Sequence, residues 1–371
     1  MTVREALLLA GQLLGLLTAL VVVVLSLIWL ERKALARFQN RMGPMRVGFH
    51  GLLQPVADAL KLLVKEDLVP TWADRALFWS APLMVFVPSF VVWVTIPLAK
   101  EVVIRNLEMG LFYIVAFSIL PVVGLVLAGW SSANKYAMLG SLRSAAQLVS
   151  YEIPIVMAVI ALVMVPESLN LVTIVEGQRT VPYAALQPLG LALFLLAGVA
   201  EVGRTPFDIY FAESEVVGGP FVEYSGAHWS VFFLVEYINT FVVGVLVALL
   251  FLGGWTFPLV PEAAWLGFLW VVAKTYLVVL VMFWLRGTLP RLRVDQLMSF
   301  GWQLLVPLSF ANIVITGFYK FYRWPGWTLT LMSLALLLLA GWLVYRRQTR
   351  PAAATAEEML ARARAYRRRE A

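Results

Sequence analysis

Nine stretches of this chain are apolar for close to, or more than, the roughly 20 residues an α-helix needs to cross a hydrocarbon layer. They fall at 6–30, 78–99, 109–130, 149–166, 183–200, 231–254, 263–285, 302–319 and 326–345. Runs of this kind leave little choice of fold. With no water to satisfy exposed peptide groups, a chain in lipid must close its hydrogen bonds within each segment. The expectation is an all-α integral membrane protein of about nine transmembrane helices, one polytopic domain over 1–345 with a basic tail at 346–371. The first run is too long for a secretory signal and leads into Glu31-Arg32-Lys33 rather than a cleavage site.

The basic residues set a direction. With the N-terminus outside, the segments on the inner side hold 22 of the 29 Lys and Arg, and the outer segments six. This is the positive-inside bias, so the net charge of +7 follows from topology and gives no reason to expect nucleic acid as a partner. Membrane lipids are the partners expected for the tail. The chain has no Cys and only two His, His50 and His228. Iron–sulfur clusters, thiolate metal sites and disulfides are therefore excluded, and so is a pair of bis-His haems. No metal site is expected.

Against this background the segment 200–224, AEVGRTPFDIYFAESEVVGGPFVEY, stands out. It carries Glu201, Asp208, Glu213, Glu215 and Glu223 against one base, Arg204. Inner loops ordinarily carry bases, and acids massed beside hydrocarbon point to a polar cavity on a proton or ion path. A solvated acidic loop would account for these residues but not for ionisable groups inside the runs. Glu236 lies two turns into the sixth run, roughly 9 Å at 1.5 Å per residue. Lys274 sits at the middle of the seventh, where a charge costs roughly 2.5–3.5 kcal/mol. Two readings stand: a buried Glu236–Lys274 pair that fixes packing, or a proton relay with Glu152 and Glu201 as further stations.

Three inner loops add candidates. Over 51–65 a helical wheel gathers Leu52, Val56, Ala59, Leu60 and Leu63 on one side and Gln54, Asp58, Lys61 and Lys65 on the other. That is the pattern of an interfacial amphipathic helix, with Pro55 tolerable in the first turn. Asp58 and Lys61 beside small Ala57 and Ala59 would also suit a narrow entrance for a flat ligand. The segment 131–148, rich in small residues, reads as a polar loop partly sunk in protein. The segment 286–301 brings Arg286, Arg291, Arg293 and Asp295 to the same surface as the acidic stretch, where they can pair with it.

These residues carry a resemblance. Glu31–Arg41 with Gly43-Pro44, GLLQPVADALK (51–61), KED (65–67), SYE (150–152), the E-R-PFD pattern of 201–208, E-S-E (213–215), EY at 223–224 and at 236–237, and RGTLPRLRVDQLMSFGW (286–302) are similar to the H-subunit family of proton-translocating NADH:quinone oxidoreductases, respiratory complex I. The resemblance runs from residue 31 to about 310. It implies a membrane subunit without a redox centre of its own, acting on quinone, with NAD, FMN and iron–sulfur clusters held by partner subunits. Those partners would be the hydrophilic-arm quinone-site subunits and the small or antiporter-like membrane subunits. It implies quinone contacts for Arg32, Asp58, Ala59, Lys61, Arg204 and Asp208, and a relay through Glu152, Glu201, Glu213, Glu215, Glu236 and Lys274. Ion pairs in the loops would involve Glu223, Arg291, Arg293 and Asp295. It also implies a bacterial cytoplasmic membrane, with the C-terminus in the cytoplasm. The chain departs from the family at Phe211 and Ile119, where many or some relatives carry Glu, and at Phe49 and His50. The weaker alternatives are the equivalent subunit of an energy-converting hydrogenase, and a self-standing ion-coupled transporter, for which no paired broken spans are evident.

Overall fold

The computed structural model describes residues 3–209, 213–256 and 264–346. Among them every regular element is helical, with one isolated β-bridge between Ala99 and Val102. Eight helices are long and apolar enough to span a membrane, against the nine expected. The ninth run, 183–200, is served by shorter pieces. These are α8 (Tyr183–Leu186) and α9 (Pro188–Glu201), separated at Gln187, whose φ of −129° and ψ of 66° leave the helical region. Pro188 has no N–H to continue the α8 ladder and instead opens α9 at its first position.

The preceding elements are α1 (Val3–Phe38), α2 (Gln54–Val64), α3 (Arg75–Val91), α4 (Gly110–Ser118), α5 (Pro121–Ser131), α6 (Lys135–Val163) and α7 (Leu171–Glu176). Those that follow are α10 (Glu213–Val216), α11 (Gly226–Leu250), α12 (Ala264–Thr288), α13 (Val294–Phe300), α14 (Val306–Phe321) and α15 (Gly326–Arg346). The predicted runs correspond to these helices with three instructive differences. The third run is interrupted at Ile119–Leu120 because Pro121 starts a new helix. The fourth helix begins at Lys135 rather than 149, so the expected loop 131–148 is mostly helix. Asn134 caps it, its Oδ1 accepting from Tyr136 N at 2.9 Å. Here the small residues are packing devices: a Cβ on Gly140 would collide with the backbone of Gly219. Finally, α13 and α14 run together through a π-helical turn at Gly301–Leu305, extending the eighth run back to Val294.

The bundle is built around α11. In the most apolar window of α11 78% of residues are buried, against 22% for α1 and 11% for α15, which places α11 at the core and the chain's two terminal spans at the periphery. Helices α3, α12, α1, α9 and α2 all pack on it. The amphipathic pattern of 52–65 is realised as α2, with Pro55 in its first turn. Leu52, Leu53, Val56, Leu60 and Leu63 remain exposed, as a helix lying in the headgroup layer requires. Residues 347–371 of the basic tail lie outside the described residues.

Candidate functional site

Arg204 is the hub of the site. Helix α9 ends at Glu201, and Gly203, with a φ of 70°, turns the chain back so that Arg204 N bonds Val199 O at 3.2 Å. The turn delivers a guanidinium into the protein with only 4% of the residue exposed. Its Nε lies 3.1 Å from Glu236 Oε1, its Nη1 lies 3.3 Å from Glu31 Oε1, and its Cζ lies 4.4 Å from the Tyr237 ring centroid. Glu31 is also paired with Arg286. Four elements, α1, the turn after α9, α11 and α12, thus each contribute one charge to a neutral quartet of two carboxylates and two guanidinium groups. Burial alone would favour loss of the Arg204 charge, but Glu236 and Glu31 outweigh it and push its pKa above the ordinary arginine value.

The quartet lines one wall of a cleft of about 770 Å³, together with Arg32, Asp208, Trp229 and Phe233. Trp229, Phe233 and Tyr237 follow one another at four-residue intervals on α11 and stack as a ladder, with centroids 5.1 and 4.9 Å apart. The cleft is of a size that holds small organic ligands, and it combines a flat aromatic face with a few fixed charges. Arg32 Nη1 pairs with Asp58 Oδ2 at 2.6 Å and ties α2 to the rim. Asp208 Oδ2 pairs with Arg291 Nη2 at 2.9 Å. Ala59 and Lys61 stand on α2, half-buried and exposed respectively, and do not line the cleft.

Glu236 is shared between this cleft and a smaller internal cavity of about 60 Å³ that also reaches Glu201, Asn239 and Glu152. A second cavity of about 60 Å³ shares Glu201 and Asn239 and extends along α11 as far as Leu246. Ser118 Oγ donates to Glu152 Oε1 at 3.3 Å from the break between α4 and α5. Glu152 in turn faces an apolar groove bordered by Ile119. Gln147 fixes the inner end of α9, its Nε2 donating to Ala200 O and Phe207 O, both at 2.7 Å. Carboxylates from four helices therefore follow one another through shared walls: Glu31, Glu236, Glu201, Glu152.

Several expected site residues lie elsewhere. Lys274 does not pair with Glu236; its Nζ donates to the carbonyls of Leu252, Gly254 and Thr256 at 2.8, 2.7 and 3.0 Å. Arg204 does not hold the acidic stretch together; its ion partners come from α1 and α11. Glu215 pairs at the surface with Arg143 at 2.6 Å, and Glu223 accepts from Asn134 Nδ2 at 2.6 Å. Arg293 and Asp295 open α13, where the Arg293 amide bonds Gln296 Oε1 at 3.2 Å. Neither pairs with the described part of the acidic stretch. Phe211 and the Glu213 side chain lie outside the described residues. The sequence reading missed Glu31, Arg286 as its partner, Gln147, Asn239 and the aromatic ladder. The W-x-x-x-F-x-x-x-Y spacing was a legible signal; the others had none. Among the described residues there is no group of three or more His, Cys, Asp or Glu that would hold a metal ion.

Comparison with known proteins bears on what this arrangement serves. A family model described as NADH dehydrogenase matches residues 11–317. The H subunit of NADH-quinone oxidoreductase from Dehalococcoides mccartyi (strain CBDB1) is 49% identical over 298 residues, covering 80% of this chain and 83% of the relative. A second-copy H subunit from Syntrophobacter fumaroxidans is 46% identical over 329 residues, covering 86% and 97%. The H subunit from Geobacillus kaustophilus is 49% identical over 292 residues, covering 78% and 87%. With its matched region spanning all but the last of the membrane helices, the chain belongs to the NADH dehydrogenase family, among the H subunits of NADH-quinone oxidoreductase.

Proposed function

We propose that the cleft receives the headgroup of a quinone and that the carboxylates behind it couple quinone reduction to proton translocation. The observation that carries this reading is Glu236, which is salt-bridged to Arg204 on the cleft side and lines the internal cavity with Glu201 and Glu152 on the other. A change of charge in the cleft alters the pairing of Arg204, and Glu236 is the group through which that change reaches the interior. The aromatic ladder offers a stacking face for a planar ring. Arg32 and Asp58, paired at the rim, join α2 to the entrance. Electrons reach the quinone from NAD, FMN and iron–sulfur clusters in partner subunits docked on the basic face. In this reading that face is cytoplasmic in a bacterial membrane, the N-terminus is outside, and the other membrane subunits continue the proton path.

The test uses the assembled complex. Glu236→Gln should leave NADH oxidation by an artificial upstream acceptor intact while lowering quinone-linked turnover and proton uptake at least tenfold. Wild-type quinone turnover with full pumping in the assembled variant would refute the coupling role.

A further inference from the structure

Lys274 has no part in the chain of carboxylates, yet it is a charge in the middle of a membrane helix and requires an explanation. An ammonium has three N–H donors and no acceptor, and here all three meet main-chain carbonyls at 2.7–3.0 Å. Those carbonyls belong to the turn that follows the C-terminus of α11, where a helix presents unpaired carbonyls and favours a cation. The same turn is pinned from a second side by Gln178, itself buried. Its Nε2 donates to Leu249 O at 2.8 Å and its Oε1 accepts from Gly253 N at 2.9 Å. Gly254 N returns to Ala248 O at 2.8 Å, and Phe251 O accepts from Ala184 N at 2.8 Å.

The place of this turn is what gives it a function. The cavity that begins at Glu201 and Asn239 runs along α11 and stops at Leu246. One turn further on, Leu249, Leu250 and Phe251 are all 0% exposed, and the Phe251 ring packs on Phe194 with centroids 5.8 Å apart. An apolar septum thus separates the polar cavity from the end of the bundle remote from Arg204, and the caged lysine holds the turn that closes it.

We propose that Lys274 is a fixed counter-cation that locks the Leu252–Thr256 turn as a seal, keeping the carboxylate cavities closed to the face opposite Arg204, and that it does not relay protons. The inference rests on the proposed reading of those cavities as proton-accessible, but its test does not require quinone. In proteoliposomes of the whole complex, with no NADH added, an imposed pH gradient should decay several-fold faster with Lys274→Met than with wild type, while Lys274→Arg should match wild type. Quinone-linked turnover in detergent should stay within twofold in both. Because the chain has no cysteine, Leu246→Cys gives a second readout on this protein. It should resist a membrane-impermeant thiol reagent in the otherwise native chain and react once Lys274→Met is added. An assembled Lys274→Met complex that holds its gradient but fails to pump would overturn the seal in favour of a relay. Should Lys274→Met not assemble, labelling of Leu246→Cys with Lys274 in place would overturn the seal by itself, and resistance would support it.

Discussion

The pairing of Glu236 with Arg204 rather than Lys274 can be decided by a double-mutant cycle, because the two arrangements predict different couplings. Glu236→Gln preserves volume and removes the charge. Both partners are shielded, with side-chain exposures of 15% for Glu236 and 5% for Arg204, so solvent screening is weak. Arg204 nonetheless keeps Glu31 at 3.3 Å and its contact with Tyr237. The loss is therefore smaller than the roughly 3–5 kcal/mol for orphaning a buried charge completely and closer to one charged hydrogen bond, about 1.5–3 kcal/mol. The expected coupling between Glu236→Gln and Arg204→Met is of that size, about 1.5–3 kcal/mol, because Arg204→Met relieves the guanidinium that Gln leaves half-paired. Glu236→Gln and Lys274→Met share no partner and should add to within about 0.5 kcal/mol. Thermal stability of the purified complex, followed by retention of this chain after heating, supplies the free energies. A coupling above about 1.5 kcal/mol between Glu236 and Lys274, with additivity between Glu236 and Arg204, would refute the arrangement described here.

Three further outcomes follow from the same contacts. Trp229→Ala removes the outer rung of the aromatic ladder and should raise the KM for quinone about fivefold, or about 1 kcal/mol, with little change in turnover by an artificial upstream acceptor; an unchanged KM would take the ladder out of the binding site. Gln147→Leu removes both bonds from Nε2 to Ala200 and Phe207 and should cost about 1–3 kcal/mol in the stability of the complex. Its activity loss should exceed that of Arg143→Ala, which breaks only a surface pair, and equal losses would show that the Gln147 bonds do not position Arg204. Ala59→Phe on α2 should lower activity with long-tailed quinones more than with short-tailed ones, since a tail threading past α2 would meet the new ring; equal effects on both would place the entrance elsewhere.

The spans were legible because the bilayer imposes a length and a composition that a sequence must display, and α1, α3, α11, α12 and α15 begin or end close to where the apolar runs do. What could not be read was helix that is neither apolar nor at the surface. The first half of α6, from Lys135 to Leu148, looks like a loop because its polarity is that of a loop. It is nevertheless helical, because Gly140, Ser141 and Ser144 are buried against neighbouring backbone and small side chains allow that approach. The break at Gln187 was written in Pro188, but an uninterrupted apolar run concealed it.

The site was legible as a set of charged residues and not as a set of pairs. Arg204, Glu236, Glu201 and Glu152 were conspicuous because charge near hydrocarbon is rare and expensive. Which charge answers which is fixed by tertiary packing, to which local spacing is blind. Glu31 looked like part of the polar flank that ends the first span, yet α1 continues to Phe38. The extra turns keep Glu31 inside the bundle, 4% exposed, facing α11 and α12. Lys274 looked like the natural partner of Glu236 because both were taken to lie deep in adjacent helices. The deciding factor is the hydrogen-bond demand of the turn after α11: unpaired carbonyls in a region without water cost several kcal/mol each, and the lysine answers three of them. With Lys274 committed there, Glu236 is left to Arg204, and the carboxylates behind it have one charged face toward the cleft and an apolar septum toward the opposite end. That asymmetry allows a change of charge in the cleft to act on the interior without opening a path across the whole bundle.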